Sequence, residues 1–308
     1  MTKYIVSAYI GFDNFGDEAI ARVLTNELKA KNAESITLIS SNPSKTAELH
    51  GVESCGMLNF LASLIKADAL ISGGGSLLQD KTSLKSLLYY LGVIYTALIF
   101  GKKVEIYAQG IGPINSFCGK LLTKIAFKFV SKITVRDLKS QELLKTWGID
   151  SELVKDPVLS MEIPQKNKKG IVGVQLRSFN GVDDKFLNSL AEEVAKQFLD
   201  KKIEVISLQD SIDLNVCEKF VNILKAKRLD NVKLLKELSI NDVIEKISSF
   251  EYLIAMRFHA SIVGIKAGVK TLVINYDPKV EKLAKEYNLP MIELDNTNFS
   301  GEFDKLQL

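Results

Sequence analysis

Residues 69–108 read ALISGGGSLLQDKTSLKSLLYYLGVIYTALIFGKKVEIYA. An apolar run, Ala69–Ser72, ends in three successive glycines, Gly73 to Gly75. A helical stretch follows over Ser83–Phe100, and then a second β-rich run, Val104–Ala108. Strand, turn, helix and strand in that order form a βαβ unit with parallel strands. A parallel sheet must be covered by helices on both faces. Outward from this unit the same alternation continues. Strand-like runs lie at Tyr4–Ile10, Ile36–Ser40 and Ile133–Val135, separated by helical stretches at Asp17–Lys31, Leu58–Lys66, Gly119–Val130 and Lys139–Trp147. The second half repeats the theme. Runs at Ile171–Leu176, Ile203–Leu208, Tyr252–Ala255 and Thr271–Ile274 alternate with helices near Asp184–Leu199, Leu214–Lys225, Ile240–Ser249 and His259–Ala267. Between the halves sits MEIPQKNKKG, Met161–Gly170, polar, basic and containing Pro164. Its composition suits a linker. The pattern predicts an α/β chain of two Rossmann-like, doubly wound domains, 1–160 and 161–308, facing each other across a cleft.

Length and composition bound the function. A chain of 308 residues is long enough for two domains. Forty Lys and Arg against 37 Asp and Glu leave a net charge of +3, which excludes a strongly basic nucleic-acid arm. Hydrophobic residues at 46% argue against disorder. Cys55, Cys118 and Cys217 are far apart and show no ligand spacing, as expected for reduced thiols in a cytoplasmic protein. The start, MTKYIVSAYIGFDN, reads as a buried strand and not as an export signal. Leu87–Phe100 is uncharged and flanked by Lys85, Lys102 and Lys103. It is shorter than the roughly 20 residues of a spanning helix. It reads first as a core helix and second as a peripheral contact with the inner face of a membrane.

In open parallel sheets, ligands sit beyond the carboxyl ends of the strands. The first strand runs into GFDNFGDEAI, where Gly11 allows a tight turn, Asn14 takes unusual backbone angles and Asp17 can cap the next helix. Glu18 comes too early to be the ribose-binding acid of a dinucleotide fingerprint. These residues read either as a capped turn or as the edge of the cleft. At the next strand end, Gly73, Gly74 and Gly75 let a ligand approach the backbone, and their N–H groups can bind an anion. Gln109 follows the strand before the Gly110–Pro113 turn and reads as another cleft wall. Arg136 and Asp137 follow the fifth strand. Arg136 either holds a phosphate or carboxylate or pairs with a carboxylate of the chain.

AMRFHA, Ala255–Ala260, is the sharpest feature. The chain has two histidines. His50 lies in a polar helical stretch and reads as exposed. His259 follows a strand where a helix begins, two residues after Arg257. A bound anion would neutralise that Arg and favour the imidazolium, as a general acid requires. Lys279, just after Pro278, stands at another helix start, where a bound anion would offset the opposing helix dipole. Arg136, Arg257, Lys279 and His259 thus form a cationic set at strand ends in a nearly neutral chain, and the expected ligand is a small polyanion. No metal-ligand cluster, Walker A loop or GxSxG elbow is present in the sequence.

GFDNFGDEAI, ISGGGSLLQD, SLLYYLGVIY, YAQGIGP, TVRD, RFHA and YDPKV, in this order from Gly11 to Val280, resemble the motifs of the polysaccharide pyruvyl transferases. The resemblance is nearest to the CsaB-like subgroup, which pyruvylates cell-wall polysaccharide precursors. It implies a GT-B-like fold and the transfer of pyruvate from phosphoenolpyruvate to a sugar as a ketal, with release of phosphate and no cofactor. For the subgroup it implies a ManNAc-containing, lipid-linked acceptor. It also implies His259 as acid, Arg257 as anion contact, and Arg136 and Lys279 as donor contacts. Asp13 departs from the pattern, standing where the family often has glycine. A GT-B glycosyltransferase using a nucleotide-sugar, and a two-lobed anion-binding protein without turnover, are the rival readings.

Overall fold

The computed structural model describes the whole chain except Thr82, Arg228, Asp230, Thr297 and Leu308. The chain divides into two compact units, Met1–Met161 and Glu162–Leu308.

The first unit is built on strands β1 (Lys3–Ser7), β2 (Ser35–Ile39), β3 (Glu53–Cys55), β4 (Ala69–Ser72), β5 (Lys103–Gln109), β6 (Lys132–Val135) and β7 (Glu152–Leu153). They form one seven-stranded sheet in the order β3-β2-β1-β4-β5-β6-β7, with every neighbouring pair parallel. Its helices are α1 (Phe15–Ala30), α2 (Pro43–His50), α3 (Phe60–Lys66), α4 (Leu84–Ile99), α5 (Phe117–Phe127) and α6 (Leu138–Thr146). Successive strand residues point to opposite faces, and the two cores follow that rule. Val6 and Ile71 pack with Leu24 and Leu28 of α1. Their neighbours Ile5 and Leu70 pack on the other face with Leu64 of α3, Leu91 of α4, Phe127 of α5 and Leu144 of α6. The apolar run singled out in α4 is largely core: Leu87, Leu91, Val93, Ile94 and Ala97 are buried. Among the described residues no helix is long and apolar enough to cross a membrane.

The second unit has strands β8 (Ile171–Gln175), β9 (Lys202–Ile206), β10 (Val232–Leu235), β11 (Tyr252–Ala255), β12 (Lys270–Asn275) and β13 (Met291–Glu293). Their order is β10-β9-β8-β11-β12-β13, again all parallel. Helices α7 (Asp184–Gln197), α8 (Asp210–Ala226), α9 (Ile240–Ser249), α10 (Phe258–Lys266), α11 (Pro278–Glu286) and α12 (Ser300–Gln307) flank it. Phe186, Phe198, Phe220, Phe299 and Phe303 fill the larger core, each contributing about 1.5–3 kcal/mol by burial. Local signals agree with the elements they open. Ser239 and Asp242 form a reciprocal capping box at α9. Asp277 caps α11 with Pro278 in its first turn.

Both units therefore have the doubly wound order, in which the chain reverses direction across the sheet between two central strands. That switch point lies between β1 and β4 in the first unit and between β8 and β11 in the second.

Candidate active site

In the first unit the loop after β1 is a braced turn. Gly11 adopts φ +85°, and a Cβ there would come within 2.7 Å of the Asn42 backbone nitrogen. The Gly11 N–H donates to Glu18 Oε1 at 2.7 Å, and Glu18 Oε2 lies 2.9 Å from His50 Nε2. His50 is therefore buried against Glu18, not exposed as its polar helix suggests. Glu18 is buried too and serves to hold the loop. Asn14 caps α1 by accepting from Gly16 N at 3.1 Å. Asp17, in the first turn of α1, points its Oδ1 at Gly75, where a Cβ would approach it to 2.9 Å.

Asp13 takes φ 55° in this loop and pairs with Lys45 at 2.8 Å on the surface. A left-handed backbone explains why glycine suits this position. Asp13→Gly relieves about 1–2 kcal/mol of backbone cost. It gives up an exposed pair worth about 0–1 kcal/mol and adds about 0.5–1 kcal/mol of unfolded-chain entropy. The two sides nearly cancel, so the variant is expected to melt within about 4 °C of the wild type. A much larger drop in a thermal melt would give Asp13 a role that this balance leaves out.

The glycine run after β4 is tightly enclosed. The Gly73 N–H donates to Ser7 O at 2.8 Å and is committed to the sheet, so this donor is not offered to an anion. A Cβ on Gly74 would come within 2.7 Å of Ile20. Close packing of α1 thus accounts for Gly74. Gln109 is fully buried, and its Nε2 donates to Ser72 O, Ser72 Oγ and Gly73 O at 3.1, 2.8 and 2.8 Å. It pins the glycine run to β5 instead of lining a cleft. Arg136, after β6, donates from Nη1 to Asp156 Oδ2 at 2.6 Å and from Nη2 to Ser76 Oγ at 3.0 Å. Of its two readings, the pair with a carboxylate of the chain is the one observed. A cavity of about 350 Å3 on the α1 side reaches Asp156, with Glu27, Tyr107 and Thr134 also in its wall.

In the second unit the strand ends gather the charged residues. Arg257 lies two residues past β11. Its backbone N–H donates to Gln175 Oε1 at 2.6 Å, which ties it to the end of β8. Its guanidinium grips Asp213 through Nε at 2.6 Å and Nη2 at 2.9 Å, and Nη2 also reaches Gln209 Oε1 at 3.0 Å. Both partners are buried. Burial pushes the Asp213 carboxyl above the ordinary range, while the Arg257 and Arg177 guanidiniums pull it back. Arg257 is thus a neutralised, immobile cation rather than a free anion contact.

His259 is the second residue of α10, half-buried, with its Nε2 shielded from solvent. Its ring meets Phe258 edge-on at 5.2 Å, and the Lys279 ammonium lies 5.9 Å from the same Phe258 ring. His259 and Lys279 therefore sit on one aromatic residue, at the ends of β11 and β12. The Lys279 backbone N–H donates to the Asp277 cap at 3.0 Å, so a carboxylate of the chain already answers the dipole there. Arg177, two residues past β8, donates from Nη1 to Tyr276 Oη at 3.2 Å and stacks over the Tyr276 ring at 5.3 Å. The sequence reading passed over Arg177. The signal was present, since Arg177 follows its strand much as Arg136 follows β6. Asp213, Gln175 and Gln209 were also missed, and nothing local marks them. Among the described residues no group of three or more His, Cys, Asp or Glu could hold a metal ion.

Solved structures share this fold across nearly the whole chain at low identity. The UDP-GlcNAc 2-epimerase from Methanocaldococcus jannaschii matches with a TM-score of 0.69 and 10% identity, over 100% of this chain and 92% of that one. Anabaena HepE in complex with UDP and glucose gives 0.62 and 11%, over 100% and 89%. The E. coli heptosyltransferase WaaC gives 0.53 and 9%, over 99% and 100%. These likenesses establish the fold class, two parallel α/β units of the GT-B type. No curated protein sequence matches the chain. The sequence pattern of the polysaccharide pyruvyl transferases matches residues 14–278, which takes in β4 and its glycines, the Arg136 strand end and the Arg257–His259 turn. The chain belongs to the polysaccharide pyruvyl transferase family and is a transferase.

Proposed function

We propose that phosphoenolpyruvate is the donor and that it binds at the carboxyl edge of the second unit's sheet. The observation that carries this reading is the grouping of Arg177, His259 and Lys279 at the ends of the adjacent strands β8, β11 and β12. A donor with a phosphate and a carboxylate needs several cations, and Arg177 and Lys279 supply two that the chain leaves only partly balanced. Arg257, held by Asp213, fixes the turn that carries His259. Only the resemblance of the TVRD motif favours a donor role for Arg136, whose charge Asp156 already balances, and the reading does not rest on it. His259 gives a proton to the methylene carbon of the donor, and positive charge develops at C2. One acceptor hydroxyl attacks C2 and loses its proton. Phosphate leaves with its bonding electrons, and a second hydroxyl closes the ketal and loses its proton in turn. The acceptor is a sugar, and the resemblance to the CsaB-like subgroup favours a ManNAc-containing, lipid-linked cell-wall precursor.

The full chain, mixed with phosphoenolpyruvate and a panel of amino-sugar acceptors, should release phosphate. One acceptor should gain the mass of pyruvate less water. Release of UDP from a UDP-sugar under the same conditions, with phosphoenolpyruvate inert, would replace this reading by the nucleotide-sugar alternative. The second unit gives that alternative little support: Asp213 is occupied by Arg257, and Glu251, at the opposite end of β11, pairs with Lys201 at 2.9 Å.

A further inference from the structure

Among the described residues, most exposed large apolar side chains gather on α3, α4 and α5 of the first unit and the turns beside them. On α5, Phe117, Leu121 and Ile125 recur at every fourth residue, and Phe129 continues the row past the helix end. All four are exposed, Phe117 by 78% and Phe129 by 68%. Such spacing places them in one stripe, extending over roughly 18 Å from first to last. Lys120, Lys124 and Lys128 form a parallel row one position behind, and among the described residues none of the three is in an ion pair. The stripe continues sideways. Tyr95 Oη of α4 donates to Leu122 O of α5 at 2.8 Å, and Tyr89 Oη of α4 meets Met57 Sδ, in the turn before α3, at 3.5 Å. Leu88 on α4 and Leu58 in that turn are exposed as well.

The charged side chains of α3, α4 and α5 are all lysines, and the Asp80 carboxylate beside them is engaged at the start of α5 by the Asn115 and Ser116 N–H groups at 2.7 Å each. Residues 81–104 and 106–136 contain no Asp or Glu. On the opposite face, α1 and α2 mix Asp17, Glu27 and Glu48 with Arg22, Lys29 and Lys45 and expose no large apolar side chain. The second unit exposes Phe179, Leu199, Ile212 and Tyr287, scattered on separate elements. A contiguous apolar stripe of this kind marks an interaction surface. A second copy of the chain is a poor occupant, because a two-fold contact would set lysine rows against each other with no carboxylate on these helices to answer them. Protruding Phe, Leu and Ile beside unpaired lysines form the pattern of helices that lie in a lipid interface.

We propose that this face docks on an anionic lipid bilayer, with the row from Phe117 to Phe129 entering the headgroup boundary and Lys120, Lys124 and Lys128 meeting lipid phosphates. The inference does not use the donor chemistry above, and it would bring the protein to a lipid-linked acceptor. The test is co-sedimentation of the full chain with vesicles of phosphatidylcholine alone and of equal parts phosphatidylcholine and phosphatidylglycerol. The wild type should pellet with the anionic vesicles only. The triple variant Lys120→Glu, Lys124→Glu, Lys128→Glu should bind them roughly 100-fold more weakly or worse. The pair Phe117→Ser, Phe129→Ser should bind roughly tenfold more weakly or worse. Both variants should keep the wild-type melting temperature, since the side chains are exposed. No wild-type binding, equal binding to both vesicles, or binding untouched by either variant would overturn the proposal. So would a dimer in analytical ultracentrifugation that the phenylalanine pair dissolves. Vesicle binding without pyruvyl transfer would sink the reaction and leave this surface standing, and the reverse result would do the opposite.

Discussion

His259→Ala should slow turnover by roughly 10²–10⁴-fold, the usual contribution of a positioned general acid, while the protein melts close to the wild-type temperature. The structure motivates both halves of that expectation. His259 stands at the second position of α10 and touches Phe258, which the Lys279 ammonium also approaches. Its loss removes the imidazole proposed as proton donor from a cationic strand end. It opens no core cavity, because the ring is only partly buried and lies outside the clusters packed on the sheet. The kinetic split identifies the role. An acid acts in the transition state, so kcat should fall while KM for phosphoenolpyruvate changes little. A large rise in KM with kcat intact would make His259 a binding residue. Wild-type turnover in a folded His259→Ala protein would remove it from the reaction.

What the sequence made legible, and what it hid, has a common physical cause. Ala69–Ser72, Ile240–Ser249 and Tyr252–Ala255 have the bounds their residues suggest, because apolar runs, caps and turn glycines agree there. The four strands that escaped notice are β3, β7, β10 and β13, and these are the two edges of each sheet. Edge strands are short and partly solvated, so they lack the unbroken apolar run that announces a central strand. The candidate site divides the same way. His259, Arg257 and Lys279 were visible because a strand end followed by a helix start is a local pattern. Their neutralising partners were not, because charge balance in a fold is settled between distant segments. Asp213 meets Arg257 across 44 residues, and Glu18 meets His50 across 32. His50 read as exposed because its own helix is polar, yet Glu18 on α1 covers it. In the α4 stretch the apolar content was seen, but its use was split. Leu87 and Leu91 build the core, whereas the continuous exposed stripe lies one helix further on, in α5.

Asp213→Ala should cost about 3–5 kcal/mol, because it strands a guanidinium that is already out of water. Arg257 is only 7% exposed, and Asp213 is the carboxylate it pairs with, engaged through both oxygens. Gln209 Oε1 remains as an acceptor at 3.0 Å, but it carries no charge. For a chain of this size the loss corresponds to a fall in melting temperature on the order of 10 °C. The backbone of the same arginine is fixed to Gln175 at the end of β8, and His259 follows two residues later. The damage should therefore reach activity as well as stability. Replacing both partners separates these effects. In Asp213→Leu combined with Arg257→Leu neither buried charge remains, and most of the lost stability should return. If Arg257 fixes the His259 turn through its charge and hydrogen bonds, turnover should stay low in that restored protein. Recovery of both stability and turnover would show that the pair only fills space beside the site. A single Asp213→Ala variant that melts like the wild type would mean that the guanidinium finds solvent once released, and the buried pair would lose its place as the support of this turn.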